Sequence, residues 1–245
     1  MSDSVELQHN ACIVEGVQPL LTDLQESVSA QFCDQSDAER GALEQFIHTV
    51  FQRTYGAELH AFYPKLTAFT SAGQIRGVAG YRDGMVKPLF SEQYLDAPVE
   101  KVLAAHLNRS IERRHLVEVG NLALAGPGEA RWVIAATTMF LHAAGYRWVM
   151  FTAVKSLCNA FQRLGLQPIQ IATADPRRLP DEGRNWGSYY QAGAVVCAGD
   201  IEAGYRKLIA HVSPRQSRLY ALLQEARLLG MNAHIDSAQH IREAV

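Results

Sequence analysis

Residues Leu116–Leu166 read LVEVGNLALAGPGEARWVIAATTMFLHAAGYRWVMFTAVKSLCNAFQRLGL. Leu116–Leu122 reads as a strand, Ala125–Gly128 as a glycine-containing turn and Glu129–Ala144 as a helix. Trp148–Ala153 is a second strand, and a second helix runs up to Gly165–Leu166. A strand that opens through a small-residue turn onto a helix N-terminus aims unpaired main-chain N–H groups into the turn. Such a turn is an anion site, suited to the phosphates of a carrier such as coenzyme A.

Outward from this stretch, periodicity supplies the remaining elements. Asp37 is placed to cap a helix over Arg40–Tyr55, whose apolar residues Leu43, Phe46, Ile47, Val50 and Phe51 share one face. Gly56 suits its left-handed close. Leu66–Thr70 and Ile75–Tyr81 flank Ser71-Ala72-Gly73-Gln74 and read as a hairpin. The segment Pro88–Asp96 links the hairpin to a helix at Val99–Arg109, with Pro98 at its start. Pro168–Thr173 and Ala194–Ala198 are further strands on either side of a polar loop, Asp175–Ser188. Ile201–Ala210 and Arg215–Leu229 are helices, the second with a stripe at Leu219, Leu222, Leu223, Ala226 and Leu229 that must bury against something. This order predicts an α/β fold with a mixed central sheet and a parallel pair at the Glu118–Ala153 crossover. Three regions are expected: a weakly ordered arm over 1–36, a core domain over 37–198 and a C-terminal helical extension over 199–245.

Composition bounds the function. The chain has 245 residues, 48% of them apolar and 20% charged, and a formal charge of −2. These are ordinary globular values, and the total charge gives no footprint for nucleic acid. Cys12, Cys33, Cys158 and Cys197 are far apart, so free thiols in a reducing compartment are expected. The histidines show no paired helical spacing, so no protein-bound metal is expected. The longest apolar stretch, around Trp132–Leu141, falls short of the roughly 20 residues that span a bilayer. The polar, acidic N-terminus lacks the pattern of a signal peptide. These readings lead to the expectation of a soluble, cytoplasmic protein.

Several strings carry a resemblance. Phe161-Gln-Arg-Leu-Gly-Leu166, preceded by Asn159, matches the end of the later helix in GNAT acyltransferases, and Asp37–Ala198 resembles that fold. Arg82, Leu89–Asp96 (Leu-Phe-Ser-Glu-Gln-Tyr-Leu-Asp), Glu118–Ala123 (Glu-Val-Gly-Asn-Leu-Ala), Phe151–Ala153 and Trp186–Tyr190 together resemble the thermostable haemolysin family. The Glu-x-x-Asn strand is also similar to one in acyl-homoserine-lactone synthases. The resemblance implies an N-acyltransferase with no tightly bound cofactor. Its donor would be acyl-CoA or acyl-carrier protein, and its acceptor the amine of a small molecule. Two positions depart from the GNAT pattern. Ala125 stands where Gln or Arg is usual, with Arg131 nearby to compensate. Phe161 stands where a tyrosine commonly protonates the leaving thiolate, which turns attention to Tyr189 and Tyr190.

Glu118 is the expected general base, because a carboxylate in an apolar strand is costly unless used or paired, and burial raises its pKa toward a useful range. The alternative is a salt bridge to Arg82 or Arg114. Alternation puts Glu118, Gly120 and Leu122 on one face and Val117, Val119 and Asn121 on the other. Asn121 is read as a hydrogen-bonding partner of a pantetheine amide or as the holder of a strand bulge. The strand edge over Asn121, Leu122 and Ala123 is expected to polarise the thioester carbonyl. Gly126, Gly128, Ala130 and Arg131 are expected at the phosphates, with Asn159 on the donor by resemblance. Arg82, Glu92, Tyr94 and Trp186 are expected on the acceptor, Arg82 either gripping a carboxylate or forming an ion pair. Arg147 and Arg163 are read as solvated. The competing functions are a non-catalytic pantetheine-binding module on a degenerate core and a membrane-active haemolysin, the latter opposed by the missing span. The oligomeric state is open.

Overall fold

The computed structural model describes residues 21–86, 88–213 and 215–243, and side chains as far as residue 233. Its elements in chain order are β1 (Ser29–Cys33), α1 (Arg40–Tyr55), β2 (Lys65–Ser71), β3 (Gln74–Asp83), α2 (Val99–Leu107), β4 (Leu116–Leu124), α3 (Ala130–Ala143), β5 (Trp148–Ala153), α4 (Lys155–Arg163), β6 (Ile169–Thr173), β7 (Val195–Asp200), α5 (Ile201–Ile209) and α6 (Ser217–Glu243). Short 3-10 turns interrupt the connections at Phe90–Tyr94, Pro176–Arg178, Arg184–Trp186 and Tyr190–Ala192. The strands form one seven-stranded sheet in the order β1-β2-β3-β4-β5-β7-β6, parallel only between β4 and β5. A parallel neighbour needs a crossover helix, and α3 supplies it.

Two apolar layers cover the sheet. One packs α1 (Leu43, Ile47, Phe51) and α2 (Val99, Leu103) on Leu66, Val78, Leu116, Ala123 and Met150. The other packs α3, α5 and α6 on Phe69, Ala79, Tyr81 and Val117. The stripe Leu219, Leu222, Leu223 and Ala226 is buried within this second layer, so α6 shares its core with α3. No helix among the described residues is long and apolar enough to cross a membrane.

Three expectations are corrected. Residues 1–20 of the expected arm lie outside the described residues, but its remainder is docked. β1 is an edge strand paired antiparallel with β2, and the Ala30 N–H donates to Glu225 of α6 at 3.0 Å. Asp23 accepts from the Arg218 and Leu219 main-chain N–H groups at 3.1 and 2.9 Å and so caps the start of α6. A five-residue edge strand with serine and glutamine on it has too weak an alternation to be read locally. Second, Asp37 does not cap α1 through its side chain, which accepts instead from the Asp34 N–H at 2.7 Å. Third, α6 runs to Glu243, past the Leu229 end expected from its apolar stripe.

The decisive irregularity is in β4. Val78 pairs with Ala123 and Gly80 with Gly120, so one residue of β3 faces two of β4, a bulge. Asn121 sits in the bulge with a left-handed φ of 48°. An extra residue reverses the alternation beyond it. Leu122 therefore joins Val119 on the α3 side, opposite to expectation, whereas Ala123 packs in the α1–α2 layer. On the other edge, β4 pairs with β5 only from Leu116↔Trp148 to Val119↔Phe151. Beyond that register the two strands splay apart.

Candidate active site

A cavity of about 1310 Å³ passes through this splay, between Gly120–Leu122 on one strand and Phe151–Thr152 on the other. It exceeds the roughly 300–1,000 Å³ that holds most small ligands. Its lining divides into three regions.

The first region is the turn into α3, where Ala125, Gly126, Pro127, Gly128, Ala130 and Arg131 all face the cavity. A methyl group added at Gly126 or Gly128 would touch nothing within 4 Å, so the turn is open. No side chain caps α3. The Glu129 carboxylate is engaged elsewhere, with Arg76 and with Trp132 Nε1 at 2.7 Å. The first-turn N–H groups of a 14-residue helix thus point at an open bend, a favourable place for an anion. Two guanidinium groups line the same end: Arg53 reaches from α1 to the Ala125 carbonyl at 3.5 Å, and Arg131 stands in the first turn of α3. Arg163, at the end of α4, also lines the cavity. Arg163 is exposed, in keeping with its reading as solvated, and Arg53 carries no local signal in the sequence. Sequence spacing cannot show that the C-terminus of α1 lies across this turn.

The second region is apolar. Ile134, Thr137 and Leu141 of α3 face Val149 and Phe161 across the interior. Phe161 stacks on Phe151 with ring centroids 4.9 Å apart. Asn159 also lines the cavity.

The third region lies on the α1 side and is built around a residue that the sequence did not single out, Tyr63. Its N–H donates to Asn121 Oδ1 at 2.8 Å, and its carbonyl accepts from buried Arg40 at 2.5 Å. Its ring lies against Gly120, where a Cβ would fall 2.7 Å from Tyr63 Cζ. The Arg82 guanidinium covers the ring at 4.9 Å. Burial pushes the Tyr63 hydroxyl well above its ordinary range, and the charge of Glu118 and its hydrogen bonding raise it further, against an opposing pull from Arg82.

Glu118 is 1% exposed and does not line the cavity; Tyr63 does. Its two carboxylate oxygens accept from the main-chain N–H groups of Phe90 and Ser91, at 2.8 and 2.6 Å. It forms no ion pair with Arg82 or Arg114. Glu118 is expected to take the amine's proton directly or through an intermediary; a folded-over 3-10 turn and the Tyr63 ring stand between it and the cavity, which leaves the indirect route. The expectation for Glu92 is corrected. It accepts from the N–H groups of Leu89 and Val99 and from Arg113 at 2.6 and 2.8 Å, and it lies outside the cavity wall. Burial opposes its ionisation, but the Arg113 bond and the two main-chain donors outweigh burial and hold its carboxyl at about 2. Ala123 is buried beneath the cavity rather than along it.

Arg82, Tyr94, Trp186, Tyr189 and Tyr190 do reach the cavity. The aromatic groups form a connected wall with ring centroids 5.3–6.3 Å apart. The Tyr189 hydroxyl donates to the Thr152 carbonyl at 3.3 Å, at the splay itself, and burial raises its pKa. Tyr190 shares a hydrogen bond with Tyr94 at 2.6 Å and is pushed up to about 12, chiefly by burial.

The family model described as thermostable hemolysin matches residues 33–205. Solved structures of similar fold include FeeM, an N-acyl amino acid synthase from uncultured soil microbes (TM-score 0.54, 14% identity, covering 76% of this chain and 97% of that one). The acyl-homoserine-lactone synthase LasI gives a TM-score of 0.53 at 12% identity, covering 77% and 98%. BjaI, a CoA-dependent acyl-homoserine lactone synthase solved with SAM and isopentyl-CoA, gives 0.50 at 14% identity, covering 83% and 99%. At these identities the likeness is one of fold, and the fold is the expected GNAT-like α/β sheet. No curated protein matches the sequence.

Proposed function

This chain belongs to the thermostable hemolysin family, and we propose that it moves an acyl group from a pantetheine thioester to the amine of a small molecule. The observation that carries this reading is the single cavity joining an uncapped helix N-terminus, two arginines and a splayed strand edge to a hydroxyl backed by a buried carboxylate.

Donor phosphates sit at Gly126–Arg131, held by main-chain N–H groups and by Arg53 and Arg131. The pantetheine arm runs through the splay, past Asn121, Leu122 and Asn159. There the unpaired edge of β4 offers main-chain donors to the thioester carbonyl. The acyl tail lies along α3, between Ile134, Leu141, Val149 and Phe161. The amine enters on the Tyr63 side and loses its proton toward Glu118. The neutral nitrogen attacks the thioester carbon, the C–N bond forms and the C–S bond breaks. The thiolate leaves toward the hydroxyls of Tyr189 and Tyr190 and takes up the proton that the nitrogen sheds. The donor class is also one that BjaI, of similar fold, is named for using.

One observation favours the non-catalytic reading. Phe161, stacked on Phe151, offers no proton where GNAT enzymes commonly place a tyrosine. The test is thiol release from a panel of acyl-CoA and acyl-carrier donors with mixed amines, with Glu118→Gln as control. Release that depends on amine and is lost in the variant is expected. Donor binding without turnover would convert the protein to a binding module, and no binding of any pantetheine donor would overturn both readings.

A further inference from the structure

We infer that the Tyr63 end of the cavity is an acceptor subsite for a small molecule bearing its amine and a carboxylate on neighbouring atoms, an α-amino acid, with Arg82 holding the carboxylate and Tyr63 handing the amine's proton to Glu118. The inference rests on the proposed acyl transfer and names its acceptor.

Four observations converge. Arg82 lines the cavity, and among the described residues it has no acidic partner within salt-bridge distance. Its protein contacts are the Pro88 carbonyl, at 3.2 Å, and the Tyr63 ring. A half-buried guanidinium facing a cavity with only a carbonyl to bond is a ready partner for a bidentate carboxylate. Arg53 and Arg131 stand at the turn into α3, so Arg82, stacked on Tyr63, is separate from the proposed phosphate site.

Second, Arg82 and Glu118 are direct cross-strand partners in the β3–β4 register, with Tyr63 laid over both strands. An anion docked on Arg82 and a proton bound for Glu118 are therefore served from neighbouring positions, within reach of one small ligand. Third, Tyr63 is fixed at both main-chain ends by Asn121 and Arg40, so its hydroxyl is preorganised. Fourth, Tyr63 lines the cavity and Glu118 does not, and both Glu118 oxygens are held by the Phe90 and Ser91 main chain, so Tyr63 stands between the cavity and a fixed carboxylate.

The proton balance is simple. The ammonium group gives one proton to Tyr63 Oη as Tyr63 gives its own to Glu118. After acylation the Glu118 proton returns by the same path to solvent, and Tyr63 ends as it began.

The experiment compares L-amino acids with their amides and with the corresponding decarboxylated amines. The assay is thiol release, backed by calorimetric binding of each compound to protein saturated with coenzyme A. Wild type is expected to favour the free acids by roughly 30-fold or more in kcat/KM. Arg82→Met should erase that preference through KM with little change in kcat, and Arg82→Lys should restore part of it. Tyr63→Phe should lower kcat roughly 100-fold with KM unchanged, and should flatten the pH dependence of kcat. Matching melting temperatures exclude misfolding. Equal use of amides and acids, equal binding of both, or an unchanged preference in Arg82→Met overturns the inference while leaving acyl transfer standing. Failure to bind any pantetheine donor overturns acyl transfer itself.

Discussion

At the residue scale, Gly120 and Glu92 show how the site is held from opposite directions. Gly120 leaves room for the Tyr63 ring, and a Cβ there would lie 2.7 Å from Cζ and 2.8 Å from the hydroxyl oxygen. Gly120→Ala should therefore displace Tyr63, at a stability cost of about 1–3 kcal/mol. Activity should fall far more than donor affinity, read by chemical denaturation alongside calorimetry with coenzyme A. Glu92 fixes the 3-10 turn whose N–H groups hold Glu118. Its folded carboxyl value of about 2 lies below the ordinary 4.5, so it stabilises the fold above about pH 5. That contribution declines as the pH falls through 4.5 and is gone below about 2. The shift corresponds to about 3 kcal/mol. Glu92→Gln should lose roughly that much at pH 7, and the gap from wild type should close between pH 5 and pH 2 in urea titrations. A gap independent of pH would mean that Glu92 acts through packing alone.

At the element scale, α6 determines whether α3 is covered. Gly230 lets the two helices touch, since a Cβ there would fall 2.2 Å from the Phe140 carbonyl oxygen and 3.0 Å from the Ala143 Cβ. In a free helix, Gly→Ala gains about 1 kcal/mol. Here the overlap is with main chain that cannot rotate away, so the clash wins, and Gly230→Ala should destabilise by about 1–3 kcal/mol. Leu228 is 58% exposed on the same helix, and Leu228→Ala should stay within ~0.5 kcal/mol. Thermal melts of both variants check the pair. The N-terminal segment depends on the same helix, through Asp23 at its cap and Glu225 on the edge of β1. The loops on the other side are tied similarly. Arg178 bonds the carbonyls of Gln93 and Leu95 at 3.0 and 2.7 Å and so clamps the aromatic wall to the turn over Glu118.

At the scale of the whole molecule, the cavity exists because β4 and β5 stop pairing halfway along β4. Main-chain groups left open there, together with Arg53 and Arg131 at the turn into α3, predict strong linkage between donor binding and stability. Coenzyme A at 100 times its Kd should stabilise the protein by about 2.7 kcal/mol, visible as a rise in melting temperature. The rise should shrink with added salt, because the arginines at the turn act through charge. Pantetheine, which lacks the nucleotide phosphates, should give a smaller and less salt-sensitive rise. Equal rises for both compounds would show that the arginines at the turn do not read the phosphates.

The sequence by itself determined the order and kind of nearly every element, the open turn at 125–130 and the parallel crossover. Alternation, helical spacing and small-residue turns are local properties, and local sterics and burial enforce them. It also marked Glu118 as unusual, since a carboxylate amid Leu116, Val117 and Val119 signals a special environment whatever its role. Only the tertiary structure decided which groups meet. The sequence left Asn121 open between a pantetheine partner and the holder of a strand bulge; the pairing of β3 with β4 decides for the bulge, which turns Leu122 to the opposite face. Tyr63 reaches the site because Asn121 and Arg40 grip its main chain across 58 and 23 residues. Glu92 leaves the cavity because Arg113 and two main-chain N–H groups claim it first. Contacts of that range have no signature in local spacing. They are selected when the whole chain packs and each buried polar group must find its partner.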